Sequence, residues 1–111
     1  MEKFKFEIKV DNRDKTLKQL DDAVNRALEA IGAQVENYAK MLCPVDTGNL
    51  RNSITHTLAP KEKAVYVGSA VEYAAYVELG TSRTRAQPYL EPAVKNHTDE
   101  YQRIAEEMLN Q

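Results

Sequence analysis

The chain has 111 residues, of which 42% are apolar and 29% charged, and this composition predicts one soluble globular domain over residues 1–111. A formal net charge of −2 excludes the capture of DNA or of a membrane surface by the overall field of the protein. Cys43 is the only cysteine, which excludes an internal disulfide, and no apolar run has the length of a signal peptide or a membrane span. The sequence therefore predicts a cytoplasmic protein.

The first two predicted elements are a strand and a long helix. Charged and apolar residues alternate from Lys3 to Val10, which is the pattern of a strand with one buried face. Apolar residues then recur every three or four positions from Leu17 to Leu42, and Pro44 ends this helix at about Cys43. The same spacing suits a coiled-coil seam, but the neighbouring strands need an apolar partner, which favours a helix packed on a sheet.

The triplet Asp46-Thr47-Gly48 has a catalytic and a structural interpretation. A homodimeric aspartic protease would take one such carboxylate from each subunit, on glycine-bearing loops in an all-β frame. In the structural interpretation, Asp46 is the N-cap of a short helical turn through Ser53, with Leu50 and Ile54 on one interior face. The long helix before the triplet and the Asn-Leu-Arg after it favour the structural interpretation.

A hairpin and a short helix come next. Residues Ile54 to Leu58 and Ala64 to Gly68 predict two strands, joined by a turn that contains a proline. Ser69 and Glu72 have the spacing of a capping box, which predicts a helix of about ten residues beginning there. Gly80 is expected to end that helix in a conformation with positive φ.

A polar loop at residues 81–87 separates this helix from the last one. The candidate partner contact in the loop consists of Thr81, Ser82, Arg83, Thr84 and Arg85. A polar loop is by default a solvated connection, but two arginines between a helix and a proline-stiffened segment also suit binding to carboxylates or phosphates on a partner. Pro88 and Pro92 introduce a last helix, whose apolar positions recur from Val94 to Met108.

The sequence predicts no catalytic, cofactor or metal site. His56 and His97 lack the paired spacing of metal ligands on a helix. We expect His56 to be an ordinary strand side chain and His97 to be a hydrogen-bonded core or interface residue. The tyrosines suit core and interface anchors better than a platform for stacking bases.

Three motifs, in this order, give a resemblance to a known family. The chain reads PVDTGNLRNS, then a hairpin, then a Tyr-Ala-x-Tyr-x-Glu-x-Gly-Thr segment, the loop, and Pro-Tyr-Leu-x-Pro-Ala. These elements fall on Val45 to Ser53, Val71 to Thr81 and Pro88 to Ala93. Together they resemble the tail-completion, or head–tail joining, proteins of siphophage type, encoded in the head–tail gene clusters of tailed bacteriophages and prophages. The motif residues with expected structural roles are Asp46, Thr47, Gly48, Leu50, Ser69, Glu72, Gly80 and Pro88.

The predicted elements make an α+β fold, in which a small antiparallel sheet packs against one long α-helix, with a short helix and a C-terminal helix. The resemblance implies the same layout and a structural protein that is not an enzyme. It implies a homo-oligomeric ring at the head–tail junction of the virion, assembled in the host bacterial cytoplasm, with head-completion or connector proteins and tail proteins as partners. No cofactor, membrane or sequence-specific nucleic acid is expected. A homodimeric aspartic protease and a small nucleic-acid-binding module are the alternatives.

Overall fold

The computed structural model describes residues 3–4, 16–44, 48–71, 73–83 and 85–110. The elements in this part of the chain are β1 (Lys3–Phe4), α1 (Leu17–Leu42), α2 (Asn49–Ser53), β2 (Thr55–Ala59), β3 (Ala64–Gly68), α3 (Ala74–Leu79), α4 (Leu90–Lys95) and α5 (Thr98–Leu109). The sheet and α5 both pack against α1. The predicted α+β class, with one long helix on a small antiparallel sheet, is therefore confirmed.

The long helix begins at a capping box and ends at a proline. Thr16 Oγ1 accepts the backbone N–H of Gln19 at 3.1 Å, and the Gln19 side chain accepts the N–H of Thr16 at 3.0 Å. The helix ends at Leu42, within one residue of the predicted end, because Pro44 prevents its continuation. The middle of the predicted apolar stripe is buried, whereas Leu17 and Leu42 are exposed at its two ends. None of the described helices is long and apolar enough to cross a membrane.

The described strands form an antiparallel sheet in the order β1-β3-β2. Val65 of the central strand pairs with Phe4 on one side and with Leu58 on the other. The second strand begins one residue later than predicted, at Thr55. Of the strand predicted from Lys3 to Val10, only Lys3 and Phe4 lie within the described residues.

A glycine in the middle of α1 allows the helix to lie close to the sheet. A Cβ added at Gly32 would lie 2.5 Å from Val65 Cγ2 and 3.1 Å from His56 Cδ2. The core around this contact contains large buried side chains from the helices, the sheet and the segments between them, among them Leu28, Ile31, Val35, Ile54, Val67, Tyr89 and Tyr101. Cys43 is also buried.

The Asp46 motif leads into the short helix that the sequence predicted. This helix ends at Ser53, and Leu50 and Ile54 are both buried in the core. Its N-cap, however, is Gly48, whose φ of 82° is favourable for glycine, and not Asp46. Asp46 and Thr47 themselves lie outside the described residues.

The predicted capping box of α3 is wrong. That helix begins at Ala74 and has six residues, so Ser69 lies five residues before its first turn. The Ser69 hydroxyl instead accepts the backbone N–H of Val71 at 3.1 Å and lies 2.5 Å from the hydroxyl of Ser53. Ser69 therefore stabilises the turn after β3, while Glu72 lies outside the described residues.

The single last helix predicted from the sequence is in fact two helices. Asn96 and His97 separate α4 from α5, and the hydroxyl of Tyr101 ties the two together by donating to the carbonyl of Ala93 at 2.5 Å. The imidazole of His97 stacks on Tyr38 of α1, with ring centroids 3.6 Å apart. The break thus allows α5 to turn and pack along α1.

Candidate functional site

The predicted contact loop leaves the body of the protein and returns to it at the last turn of α3. Gly80 ends this helix with a φ of 76°, which confirms the expected positive φ. The backbone N–H of Gln87 donates to the carbonyl of Val77 at 2.8 Å, so the returning chain is fixed beside the turn where the loop began. The stem of the loop is therefore closed by backbone hydrogen bonding.

A buried carboxylate fixes the returning chain a second time. Glu78 is only 7% exposed, and its carboxylate accepts the backbone N–H groups of Tyr89, Leu90 and Glu91 at 3.1, 2.8 and 3.3 Å. These are donors at the start of α4 that have no partner within the helix, and the next residue, Pro92, has no N–H. Glu78, a residue of α3, thus supplies the hydrogen-bond acceptor for the N–H groups in the first turn of α4.

The aromatic residue after Pro88 anchors the same segment in the core. Tyr89 is fully buried, and its hydroxyl donates to the carbonyl of Ala74 at 3.4 Å. Leu90 is buried beside it, whereas Pro88 is exposed. The motif around Pro88 therefore holds the end of the loop, and the described side chains within the loop lie outside the core.

The loop presents two guanidinium groups to solvent. Its described residues are exposed, and Thr81 Oγ1 accepts the N–H of Arg83 at 3.2 Å in a tight turn. No ion pair within the described part of the chain involves Arg83 or Arg85. Free guanidinium groups suit bidentate binding of carboxylates or phosphates. Ser82 lies in the same exposed turn, and Thr84 lies outside the described residues.

The helix that carries the loop has an exposed apolar face. Tyr73, Tyr76 and Leu79 are 42%, 63% and 72% exposed, while Ala74 and Glu78 on the opposite side are buried. Tyr73 and Tyr76 were expected to be core or interface anchors, and their exposure shows that they are not part of the core. Large exposed apolar side chains grouped on one surface are typical of a protein–protein contact.

His56 is more than the ordinary strand side chain that the sequence predicted. Its Nδ1 lies 3.0 Å from Glu36 Oε1 and its Nε2 lies 2.7 Å from Glu29 Oε1. Burial lowers the pKa of His56, but the hydrogen bonds to Glu36 and Glu29 raise it further, so the net pKa lies above its usual value. The protonated ring donates to both carboxylates and joins β2 to α1.

The described residues contain no cluster of three or more histidine, cysteine, aspartate or glutamate side chains that could hold a metal ion. The candidate site is instead an exposed surface, made of the described residues of the loop and the exposed face of α3. Of the predicted site residues, Gly80, Thr81, Ser82, Arg83, Arg85 and Pro88 lie in this region, whereas Gly48, Leu50 and Ser69 stabilise other turns and the core.

Sequence reasoning missed the role of Glu78. The sequence does hint at a buried position for this residue, because Glu78 follows the apolar Ala74 by four residues and so lies on the same side of the helix. A carboxylate on a buried helix face requires hydrogen-bond donors close by. The proline-containing segment that begins the next helix supplies these donors.

One comparison with known proteins gives a match. The family model described as "Bacteriophage HK97-gp10, putative tail-component" matches residues 7–80, about two thirds of the chain. The matched segment includes α1, the Gly48 turn, the hairpin and α3, and it ends where the contact loop begins. No curated protein and no solved structure matches the chain. The extent of the family match shows that this chain belongs to the HK97-gp10-like family of phage tail components.

Proposed function

We propose that this chain is a structural protein of the phage head–tail junction, where copies of it form a ring between the head connector and the tail. Its partners are head-completion or connector proteins on one side and tail proteins on the other. Membership of a tail-component family supports a place in the virion. The more specific position at the junction rests on the ordered motifs from Val45 to Ala93.

The main observation in support of the proposal is the structural role of Glu78, the glutamate of the Tyr-Ala-x-Tyr-x-Glu-x-Gly-Thr motif. It is buried and accepts three backbone N–H groups, so it holds the stem of a loop. The other described motif residues are also used for folding, since Leu50 and Tyr89 lie in the core and Gly48 has the positive φ of a tight turn. A scaffold that holds an exposed loop in place suits assembly, and this is the basis for assigning a structural and not an enzymatic role.

The position in the virion can be tested by labelling. A phage that carries an epitope-tagged copy of this protein would be decorated with gold-labelled antibody and imaged by electron microscopy. The proposal predicts label at the junction between head and tail. Label along the tail shaft or at the tail tip would contradict the junction and leave the family assignment unchanged.

The two alternative functions have less support. An aspartic protease holds its triplet in an all-β frame, whereas Asp46-Thr47-Gly48 lies in the chain between two helices, α1 and α2. Pepstatin-sensitive cleavage of a peptide library that disappears in Asp46→Ala would favour the protease. A nucleic-acid-binding module would need a basic surface, and the local positive charge of the loop comes from two arginines in a chain of net charge −2.

A further inference from the structure

The exposed face of α3 and the loop that follows it form one continuous surface. We call this the α3 surface, which consists of Tyr73, Tyr76, Leu79, Arg83 and Arg85. It is continuous because the loop begins at Gly80 and returns to the carbonyl of Val77, both in the last turn of α3. Tyrosine and arginine are the residue types that most often dominate the binding energy of protein interfaces.

The two ends of α1 also carry exposed apolar side chains. Met41 and Leu42 at its C-terminal end are 74% and 46% exposed, and Leu17 at its N-terminal end is 86% exposed.

The outer face of α5 carries the opposite charge. We call it the α5 surface, which consists of Asp99, Arg103, Glu106 and Glu107, all exposed and on one side of the helix. Arg103 is the only cationic residue in α5, and it has no ion pair within the described part of the chain. The α5 surface is thus net acidic, whereas the loop of the α3 surface contains two arginines and no acidic residue.

The two charged surfaces form no ion pair with each other within the described part of one copy. The chain therefore carries both halves of a complementary contact that two copies can make. A contact between two different surfaces of the same protein is heterologous, and such contacts repeat from copy to copy, forming a ring when the rotation between neighbouring copies closes.

We propose that the α3 surface of one copy binds the α5 surface of the next copy. This inference rests on the ring of the proposed function and identifies the surfaces that close it. The arginines of the loop pair with the carboxylates of α5, while Tyr76 and Leu79 supply apolar contact beside them. The complementary charges select the neighbouring copy and its orientation.

The test is a charge exchange, followed by sedimentation equilibrium of the purified chain. One variant reverses the loop (R83E/R85E), a second reverses α5 (E106R/E107R), and a third carries all four changes. All four positions are exposed, and cations near the C-terminus of a helix are favourable, so the variants are expected to fold. Lys61→Glu in the exposed β2–β3 turn is the matched control.

We expect each two-residue variant to weaken self-association by at least about tenfold and the four-residue variant to restore it to within about threefold of wild type. Tyr76→Ser should weaken it without any change of charge, and Lys61→Glu should leave it unchanged. A four-residue variant that associates no better than either two-residue variant would overturn the pairing. A wild-type protein that stays monomeric at about 1 mM would overturn the contact itself.

The failure of this contact and the failure of the proposed function are distinguishable. If the wild-type chain is monomeric and a phage lacking the gene still fails to join heads to tails, the junction role stands and the contact between copies is wrong. If the charge exchange restores association but the deletion phage makes normal virions, the contact stands and the junction role is wrong.

Discussion

The backbone N–H of Leu90 donates a 2.8 Å hydrogen bond to the buried carboxylate of Glu78, twelve residues earlier in the chain. The two residues belong to different sequence motifs, one at the end of α3 and one at the start of α4. Their hydrogen bond closes the stem of the loop between them, together with the bond from Gln87 to Val77. The loop can therefore change its sequence without changing the scaffold that presents it.

Removal of this carboxylate should destabilise the protein. Glu78→Ala removes three hydrogen bonds at once, including the one that accepts the buried N–H of Leu90, so we expect a loss of about 2–4 kcal/mol in the free energy of unfolding. Urea denaturation followed by circular dichroism measures it. The matched control is Glu91→Ala, which removes an exposed carboxylate from the same helix start and should cost within about 0.5 kcal/mol. Equal losses in the two variants would contradict the role of Glu78.

The close approach of α1 to the sheet predicts that a better helix former will destabilise the protein. Alanine at position 32 gains about 1 kcal/mol in helix propensity over glycine. Its Cβ, however, would lie 2.5 Å from Val65 Cγ2, and such overpacking costs about 1–3 kcal/mol or more. We therefore expect Gly32→Ala to lower the melting temperature, whereas Asn37→Ala, on the exposed side of the same helix, should raise it slightly. A stabilised Gly32→Ala protein would show that the helix does not lie this close to the sheet.

The His56 contacts predict a maximum of stability at mildly acidic pH. The pKa of His56 is raised above 6.5, so its contribution is fully present below that pH and is lost as the pH rises through the folded-state pKa. For Glu36, burial raises the pKa, but hydrogen bonds from His56 and Lys40 lower it further, and the net pKa lies below 4.5. Its contribution is therefore present above pH 4.5 and is lost as the pH falls through the folded-state pKa.

The contact between β2 and α1 should thus be strongest between pH 4.5 and 6.5. We expect His56→Gln to lose about 1–2 kcal/mol in this window and less at higher pH. Unfolding free energies of the wild type and the variant, measured by urea denaturation across this range, give the difference directly. A difference that grows as the pH rises above 6.5 would have the wrong sign for a protonated His56 held by Glu29 and Glu36.

Hydrogen exchange should separate the stem of the loop from its tip. The amides of Gln87 and Leu90 donate to acceptors in the protein and should be protected. Ser82, Arg85 and Ala86 are exposed, and polar segments with little buried surface gain little to offset the entropy of ordering, so their amides should exchange fast in the isolated protein. NMR-detected exchange resolves these amides individually. Protection of the tip equal to that of α1 would contradict this prediction.

The sequence predicted those parts of the fold that depend on local pattern. The spacing of apolar residues located α1 to within one residue, because Pro44 gives that helix an unambiguous end. The strands of the hairpin and the positive φ of Gly80 follow from equally local rules. The two-helix structure of the last segment was missed, because the stacking of His97 on Tyr38 depends on a residue of α1 far away in the sequence.

The candidate site was predictable only in part. The loop was recognised from its polarity and its two arginines, but its closed stem depends on Glu78, whose partners are backbone N–H groups that no side-chain pattern reveals. The capping box at Ser69 and Glu72 failed for the opposite reason, since the spacing was present but the Ser69 hydroxyl stabilises a turn before the helix begins. His56 was underestimated, because its carboxylate partners lie on α1.

The most direct test of the central claim is electron microscopy of a lysate from a phage or prophage that lacks this gene. A protein with the proposed junction role should leave the assembly of heads and of tails intact. We expect DNA-filled heads and separate tails that fail to join, with joining restored by the wild-type gene supplied in trans. Joined virions in normal numbers, in the absence of the gene, would contradict it.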